Sequence, residues 1–231
     1  MIFSKVGVIM LRFSENRNLR LYSAATFKGL PIMVEKGPFI LGYLEALNRT
    51  IACALDQYPR VIAFRVDLRL PRLMGIPDDA LSNRVISRFL ESFKAKIEHN
   101  RDKAREQNKY AHDCRVRYVW ARERSEAGRQ HYHLLILLNR DAYYTIGRLQ
   151  PQRPNMISRM QEAWASALKC EVEQVRGLVH IPSNAEYRVD REVRPGNVDY
   201  LPDLFHRASY LCKAATKRYG EGAHGFGFSR G

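Results

Sequence analysis

The sequence predicts an α+β protein with a central antiparallel sheet and packed helices. Two observations lead there. Apolar runs of period two occur in neighbouring pairs with short connections between them, and long segments of helical periodicity separate the pairs. Strands that turn straight back favour antiparallel pairing over the strand–helix alternation of a doubly wound parallel sheet.

Residues 1–38 mix short apolar segments with Gly and Pro and read as one or two short strands and a loop. Over 39–57, Leu41, Leu44, Leu47, Ile51 and Leu55 form a helical stripe, which Pro59 ends. In RVIAFRVDLRLP, Ile62, Phe64, Val66, Leu68 and Leu70 alternate with polar or small residues, a half-buried strand stopped by Pro71. Residues 78–108 read as a long amphipathic helix. It opens at Asp78-Asp79, whose carboxylates suit a helix N-terminus, and carries Leu81, Val85, Phe89, Phe93 and Ile97. Its charged second half is expected in solvent. RVRYVWARERS and QHYHLLILLN are two strands joined across 125–129, where Gly128 suits a turn. A helix follows over 155–168, then GLVHIP and EYRVDRE as another pair of strands, then a final helix over 199–218.

The 231 residues are 45% hydrophobic, enough to fill a substantial core. Lys and Arg number 38 against 24 Asp and Glu, a net charge of +14 that points to a polyanionic partner, most often nucleic acid. Cys53, Cys114, Cys170 and Cys212 lie far apart without a CxxC pair. That argues against a zinc ribbon or disulfide framework and suits a reducing cytosol. MIFSKVGVIMLRF is broken by Lys5 and lacks a small-residue cleavage site, so it does not read as a signal peptide. No stretch approaches the roughly 20 apolar residues of a membrane span. The expectation is a cytoplasmic protein with no membrane partner.

His131-Tyr132-His133 opens an apolar strand, so both imidazoles point to one face of the sheet. Their Cα atoms are about 6.6 Å apart in an extended strand, within reach of one metal ion. If the hairpin turns around Ala127, Glu123 lies opposite His131 and joins them, and a slip of one residue would turn it away. Two imidazoles and a carboxylate with open positions suit a borderline divalent metal.

In the last helix, LPDLFHRASYLCKAATKRYG, a spacing of 100° per residue puts Leu204, Ala208, Leu211, Ala215 and Tyr219 on an apolar face. Tyr210 falls nearly opposite, with His206, Lys213 and Lys217. A tyrosine ordinarily ionises near pH ~10, so its use as a nucleophile calls for nearby positive charge, which two lysines supply. Together these parts suggest phosphodiester chemistry, with Tyr210 as the attacking group and a basic surface that holds the strand.

HYH after an acidic strand, followed by Tyr-x-x-Lys, resembles the HUH (His-hydrophobic-His) superfamily of nicking endonucleases. Those are rolling-circle replication initiators, relaxases and related transposases. More narrowly, YVWARER, HYHLLILLNRDAYY, GLVHIP, FHRASYLCKAATK and FGFSRG resemble the family of the filamentous-phage (inovirus) gene II replication protein, which includes the YagK/YfjJ-type prophage proteins. The likeness runs from about residue 40 to the end. It implies a ferredoxin/RRM-like palm over 59–231, with 1–58 as a strand/helix extension packed on it. It also implies His131, His133 and Glu123 as ligands of Mg or Mn, Tyr210 as nucleophile and Lys213 as its partner. Lys217 and His206 would contact phosphate or the ligating side chains. The implied activity is nicking of single-stranded or supercoiled DNA through a 5′-phosphotyrosine intermediate, with a host replicative helicase as further partner. Relatives with two catalytic tyrosines carry the second where this chain has Ala214, so a single-tyrosine enzyme is implied. Asp67 matches no definite role.

Two other readings share parts of this pattern. A zinc hydrolase could use the same His and Glu residues, but HExxH is missing and the charge and Tyr210 stay unexplained. A prophage DNA-binding regulator could keep the fold without nicking.

Overall fold

The structure, a computed structural model, describes residues 11–71, 79, 82–124, 130–147, 154–215, 217 and 224–230. In chain order, five short strands come first: β1 (Arg12–Phe13), β2 (Asn16–Tyr22), β3 (Thr26–Phe27), β4 (Leu30–Pro31) and β5 (Phe39–Ile40). Helix α1 (Leu41–Gln57), strand β6 (Arg60–Arg69) and helix α2 (Arg84–Gln107) follow. Strands β7 (Arg117–Arg124) and β8 (Gln130–Asn139) precede helices α3 (Met156–Leu168) and α4 (Val172–Val175). Last come β9 (Val179–His180), β10 (Glu186–Asp190), α5 (Leu201–Ser209) and β11 (Phe226–Phe228).

The central sheet runs β10–β6–β8–β7–β11, with β9 added beside β10 on the same edge of β6. Every pairing in it is antiparallel, as expected for an α+β protein. Alternation sorts the side chains onto two faces. Ile62, Phe64, Val66 and Leu68, with Leu134, Ile136 and Leu138, meet Phe89 and Phe93 of α2 and Met160 and Trp164 of α3. On the opposite face, Val61, Ala63, Val119, Ala121, Leu135 and Leu137 meet Leu44 and Leu47 of α1 and Leu204 and Phe205 of α5. Covering both faces buries β6 almost throughout, so the expected half-buried strand is a central one. Trp164 is fully buried, and its indole N–H donates to the Arg69 carbonyl (3.0 Å), which leaves no polar atom of the ring unpaired.

Several boundaries differ from the sequence expectation. Among the described residues before 39 there are four short strands, rather than one or two. Helix α2 starts at Arg84, and Asp79 instead pairs with Arg88 of its first turns (2.6 and 2.9 Å). Asp78 and Leu81 lie outside the described residues, as does the 125–129 turn. β9 and β10 do not pair with each other, because each adds to a different stretch of β6.

The largest difference is in the final helix. α5 stops at Ser209, a 3-10 turn spans Tyr210–Cys212, and Lys213 is extended (ψ 144°). The N-terminal segment causes the break. Ser209 Oγ accepts from the Met33 N–H (2.9 Å), Lys213 bridges to Phe39, and the Ala214 N–H donates to the Pro38 carbonyl (2.9 Å). The backbone pairings at Lys213 and Ala214 take the place of helix continuation, and the Ser209 contact holds the N-terminal segment beside the break. Ala215, expected on the apolar face, is exposed; Tyr219 lies outside the described residues.

Gly227 of β11 lies across from Trp120, so close that a Cβ on it would come within 2.5–2.6 Å of the indole ring. A ring buried in the core on one face of the sheet cannot give way that far. We therefore expect Gly227→Ala to destabilise the fold by about 1–3 kcal/mol, read from urea unfolding. An unchanged midpoint would show that the indole moves freely.

Candidate functional site

On one face of the sheet, three adjacent strands change character at the same level. Apolar Val61 and Ala63 of β6 give way to Arg65, Asp67 and Arg69. Leu137 and Leu135 of β8 give way to His133 and His131, and Val119 and Ala121 of β7 give way to Glu123. Register aligns them in rows: Asp67 opposite His133, and Arg69 opposite His131, which lies opposite Glu123. The Glu123–His131 pairing is the one the sequence requires, although the turn that sets it lies outside the described residues.

Glu123, His131 and His133 bring one ligand atom each to within 4.8 Å of one another. His131 Nε2 lies 3.1 Å from His133 Nε2, which lies 3.5 Å from Glu123 Oε2. Donors bound side by side at about 2.0–2.2 Å from one ion are separated by roughly 3.0–3.5 Å, so both spacings at His133 Nε2 fit a divalent metal.

His133 is fixed from behind. Its Nδ1 lies 2.5 Å from Asp67 Oδ1, and a carboxylate only accepts, so Nδ1 carries a proton; the neutral ring then presents the Nε2 lone pair to the cluster, and the imidazolium donates from Nε2 toward Glu123 as well. Arg65 Nη2 stands 3.1 Å from both Asp67 Oδ1 and His133 Nδ1. With Nδ1 already a donor, the acceptor for Arg65 is the carboxylate. Burial alone would push Asp67 upward, but the His133 hydrogen bond and the charges of His133, Arg65 and His180 hold it below the usual carboxylate range. For His133, burial pulls down and the hydrogen bonds to Asp67 and Glu123 pull up more strongly, so its pKa is raised.

Two lysines close the far side. Lys217 Nζ donates to Glu123 Oε1 (3.2 Å), and Lys213 Nζ lies 2.9 Å from Oε2. Burial would raise the Glu123 pKa, but the His133 hydrogen bond and the charges of Lys217, His133 and Lys213 hold it far below the usual range. Burial pulls the Lys217 ammonium down, and Glu123 restores part of the loss. Lys217 is thus a buried partner of Glu123, where the helical projection put it on a solvated polar face. The break after Ser209 turns it inward.

Tyr210 stands over this cluster. Its ring meets the His133 ring edge-on with centroids 5.3 Å apart; Lys213 Nζ is 3.6 Å and the Arg65 guanidinium 5.3 Å from its centroid. His206 does not join: among the described residues its ring makes no hydrogen bond or ion pair with the cluster, and its carbonyl accepts from Ser209 Oγ (2.7 Å). Sequence reasoning missed Arg65 and the role of Asp67. Their signal was two charges, two residues apart, on one face of an otherwise apolar strand.

Fold and site together define an α+β protein whose antiparallel sheet carries a carboxylate and two imidazoles spaced for a metal ion. Residues 22–229 match the YagK/YfjJ C-terminal domain, and the chain belongs to that family. It is 37% identical over 199 residues to YagK of Escherichia coli (strain K12), covering 84% of this chain and 95% of that one. It is 32% identical over 205 residues to YfjJ of the same strain, covering 85% and 98%. Both are named as uncharacterized proteins. A looser likeness, to the catalytic domain of the Adeno Associated Virus type 5 Rep protein, spans 66% of this chain and 92% of that one. The two are 15% identical, with a TM-score of 0.29. No helix among the described residues is long and apolar enough to cross a membrane.

Proposed function

We propose that this chain is a metal-dependent, HUH-type endonuclease and strand transferase that nicks one DNA strand and initiates rolling-circle replication. The observation that carries the reading is the packing of Tyr210 on His133, with Lys213 placed between that ring and Glu123. A tyrosine beside a metal-competent triad supplies a nucleophile and an electrophilic centre for exchanging one phosphodiester for another.

In this reading the Tyr210 oxygen gives up its proton and bonds to the scissile phosphorus as the bond to the 3′-oxygen breaks, and the departing 3′-oxygen takes up a proton. The products are a 5′-phosphotyrosine link and a free 3′-hydroxyl. His131, His133 and Glu123 would hold Mg or Mn, which supplies polarisation of a phosphoryl oxygen. Asp67 keeps His133 in the ligating tautomer. Lys213 offsets charge that develops at Tyr210 and the phosphorane-like transition state. Three cations (Arg65, Lys213, Lys217) against two carboxylates (Asp67, Glu123) leave the metal-free cluster positive, in keeping with a phosphate substrate. The nicking unit is proposed to span 59–231, with 1–58 as an extension. A cytoplasmic setting, single-stranded or supercoiled DNA as substrate, a prophage origin and a host replicative helicase belong to the same proposal.

Labelled single-stranded DNA incubated with the protein and Mn or Mg should give a covalent adduct that survives denaturation. Tyr210→Phe should abolish it, as should chelator. Salt-sensitive binding with no adduct on diverse substrates would favour a prophage DNA-binding regulator instead.

A further inference from the structure

Exposure across the cluster rises in one direction. Side-chain exposure is 3% for Glu123 on β7, 10% for His133 on β8, 14% for Asp67 on β6 and 45% for His180 on β9. The β7 side is closed by Lys217 and Lys213, 0% and 9% exposed, on the segment that follows Tyr210. A ligand as large as a nucleic-acid strand therefore reaches the cluster over β6 and β9.

Two side chains wait there on the same face. Arg69 is directly opposite His131 in the ladder, a pairing that puts their Cβ atoms about 4.5–5.5 Å apart. It is exposed, and its guanidinium makes no hydrogen bond or ion pair among the described residues. Its backbone is held firmly, with the N–H bonded to the Leu178 carbonyl (2.8 Å) and the C=O to the Trp164 indole (3.0 Å). His180 pairs across from Asp67, with Nδ1 3.7 Å from Asp67 Oδ2, and Nε2 makes no hydrogen bond among the described residues. Arg69 and Asp67 are two residues apart, about 6.6 Å along β6. A free fork of guanidinium donors on a rigid strand, next to an imidazole and a positive cluster, suits a phosphate oxygen.

We propose that Arg69 and His180 form a phosphate-binding subsite for the backbone of a single nucleic-acid strand, adjoining the scissile position on the β6–β9 side. This rests on the nicking reading and adds the direction from which the strand approaches. Neither residue takes part in the chemical step. Arg69 grips the strand bidentately and His180 adds one donor.

The test is binding of a short, fluorescein-labelled, mixed-sequence single strand, followed by anisotropy over a salt series with chelator present. Arg69→Ala should weaken binding about tenfold and reduce the salt slope by about 0.7, one phosphate contact on a single strand. Arg69→Lys should keep the slope while losing part of the affinity. His180→Gln should weaken binding about threefold. Arg49→Ala, at an exposed position of α1, serves as control. If Arg69→Ala loses no more than Arg49→Ala, the subsite is wrong, while the Tyr210 adduct still decides the nicking reading separately. Failure of the unmodified protein to bind single strands would remove both.

Discussion

Replacing Glu123 with Ala should destabilise the protein by about 3–5 kcal/mol, because it leaves Lys217 buried without a counter-charge. Lys217 is 0% and Lys213 9% exposed, and both direct their ammonium groups at the Glu123 carboxylate. A pH series gives the sign. Burial already holds the folded Lys217 pKa below the unfolded lysine value of about 10.4. Removing Glu123 takes away the largest influence that raises it, so the folded value drops further. Between the folded and unfolded values the unfolded chain binds more protons, and stability climbs with pH. The deficit of Glu123→Ala should therefore shrink as the buffer becomes more alkaline. It should also shrink in the Glu123→Leu/Lys217→Met double variant, where an apolar pair replaces the buried ions. Urea unfolding reads both effects. A loss below about 1 kcal/mol, flat with pH, would mean that water reaches Lys217 and that the closed β7 side of the site is open.

The strands that form the cluster were legible as short apolar runs flanked by turn residues, Pro71 after the first and Gly128 before the second. In RVIAFRVDLR and QHYHLLILLN, one register buries Phe64 and Ile136 on one face and gathers Asp67, His131 and His133 on the other. The Glu123–His131 pairing followed from supposing a hairpin that turns around Ala127, and the observed register is the one that supposition gives. Helix α3 was equally clear, since Asn155 caps it through the Ser158 N–H (3.0 Å) and Met156, Met160 and Trp164 recur down one side.

What could not be read depends on contacts between distant segments. The sequence from Leu201 onward keeps helical periodicity past Cys212, and no Gly or Pro announces the break. Only the approach of Met33, Pro38 and Phe39 shows why the chain leaves the helix after Ser209. That break is also why Lys217 faces Glu123, so an error in secondary structure became an error in the chemistry of one residue. Asp67 had no assignable role because its partners, His133 and His180, lie on strands that meet β6 from opposite sides, in a register no local pattern reveals.

Asp67→Asn should weaken metal binding about 10- to 100-fold and move its pH midpoint downward at the same time. The two effects have separate origins. An amide at this position can offer its NH₂ group to His133 as readily as its oxygen, so the tautomer that presents Nε2 beside His131 and Glu123 is no longer enforced, and the plateau affinity falls. The midpoint follows from proton competition, since a metal must displace any proton on Nε2. Burial pulls the His133 pKa down, and Asp67 is the first of the groups that raise it. Without that carboxylate the proton leaves at lower pH. In the metal-free protein the linkage changes as well. A raised His133 contributes stability below the unfolded value of about 6.5, which is lost as pH climbs through its folded pKa. A depressed Asp67 contributes stability above about 3.9, which is lost as pH falls through its own folded value. Asp67→Asn should therefore flatten both limbs of the stability profile. Mn titration by calorimetry across pH, with urea unfolding in chelator, reads the two predictions independently. A midpoint that moves upward would show that Asp67 does not share the His133 proton, and an unchanged plateau would show that His133 is held by something else.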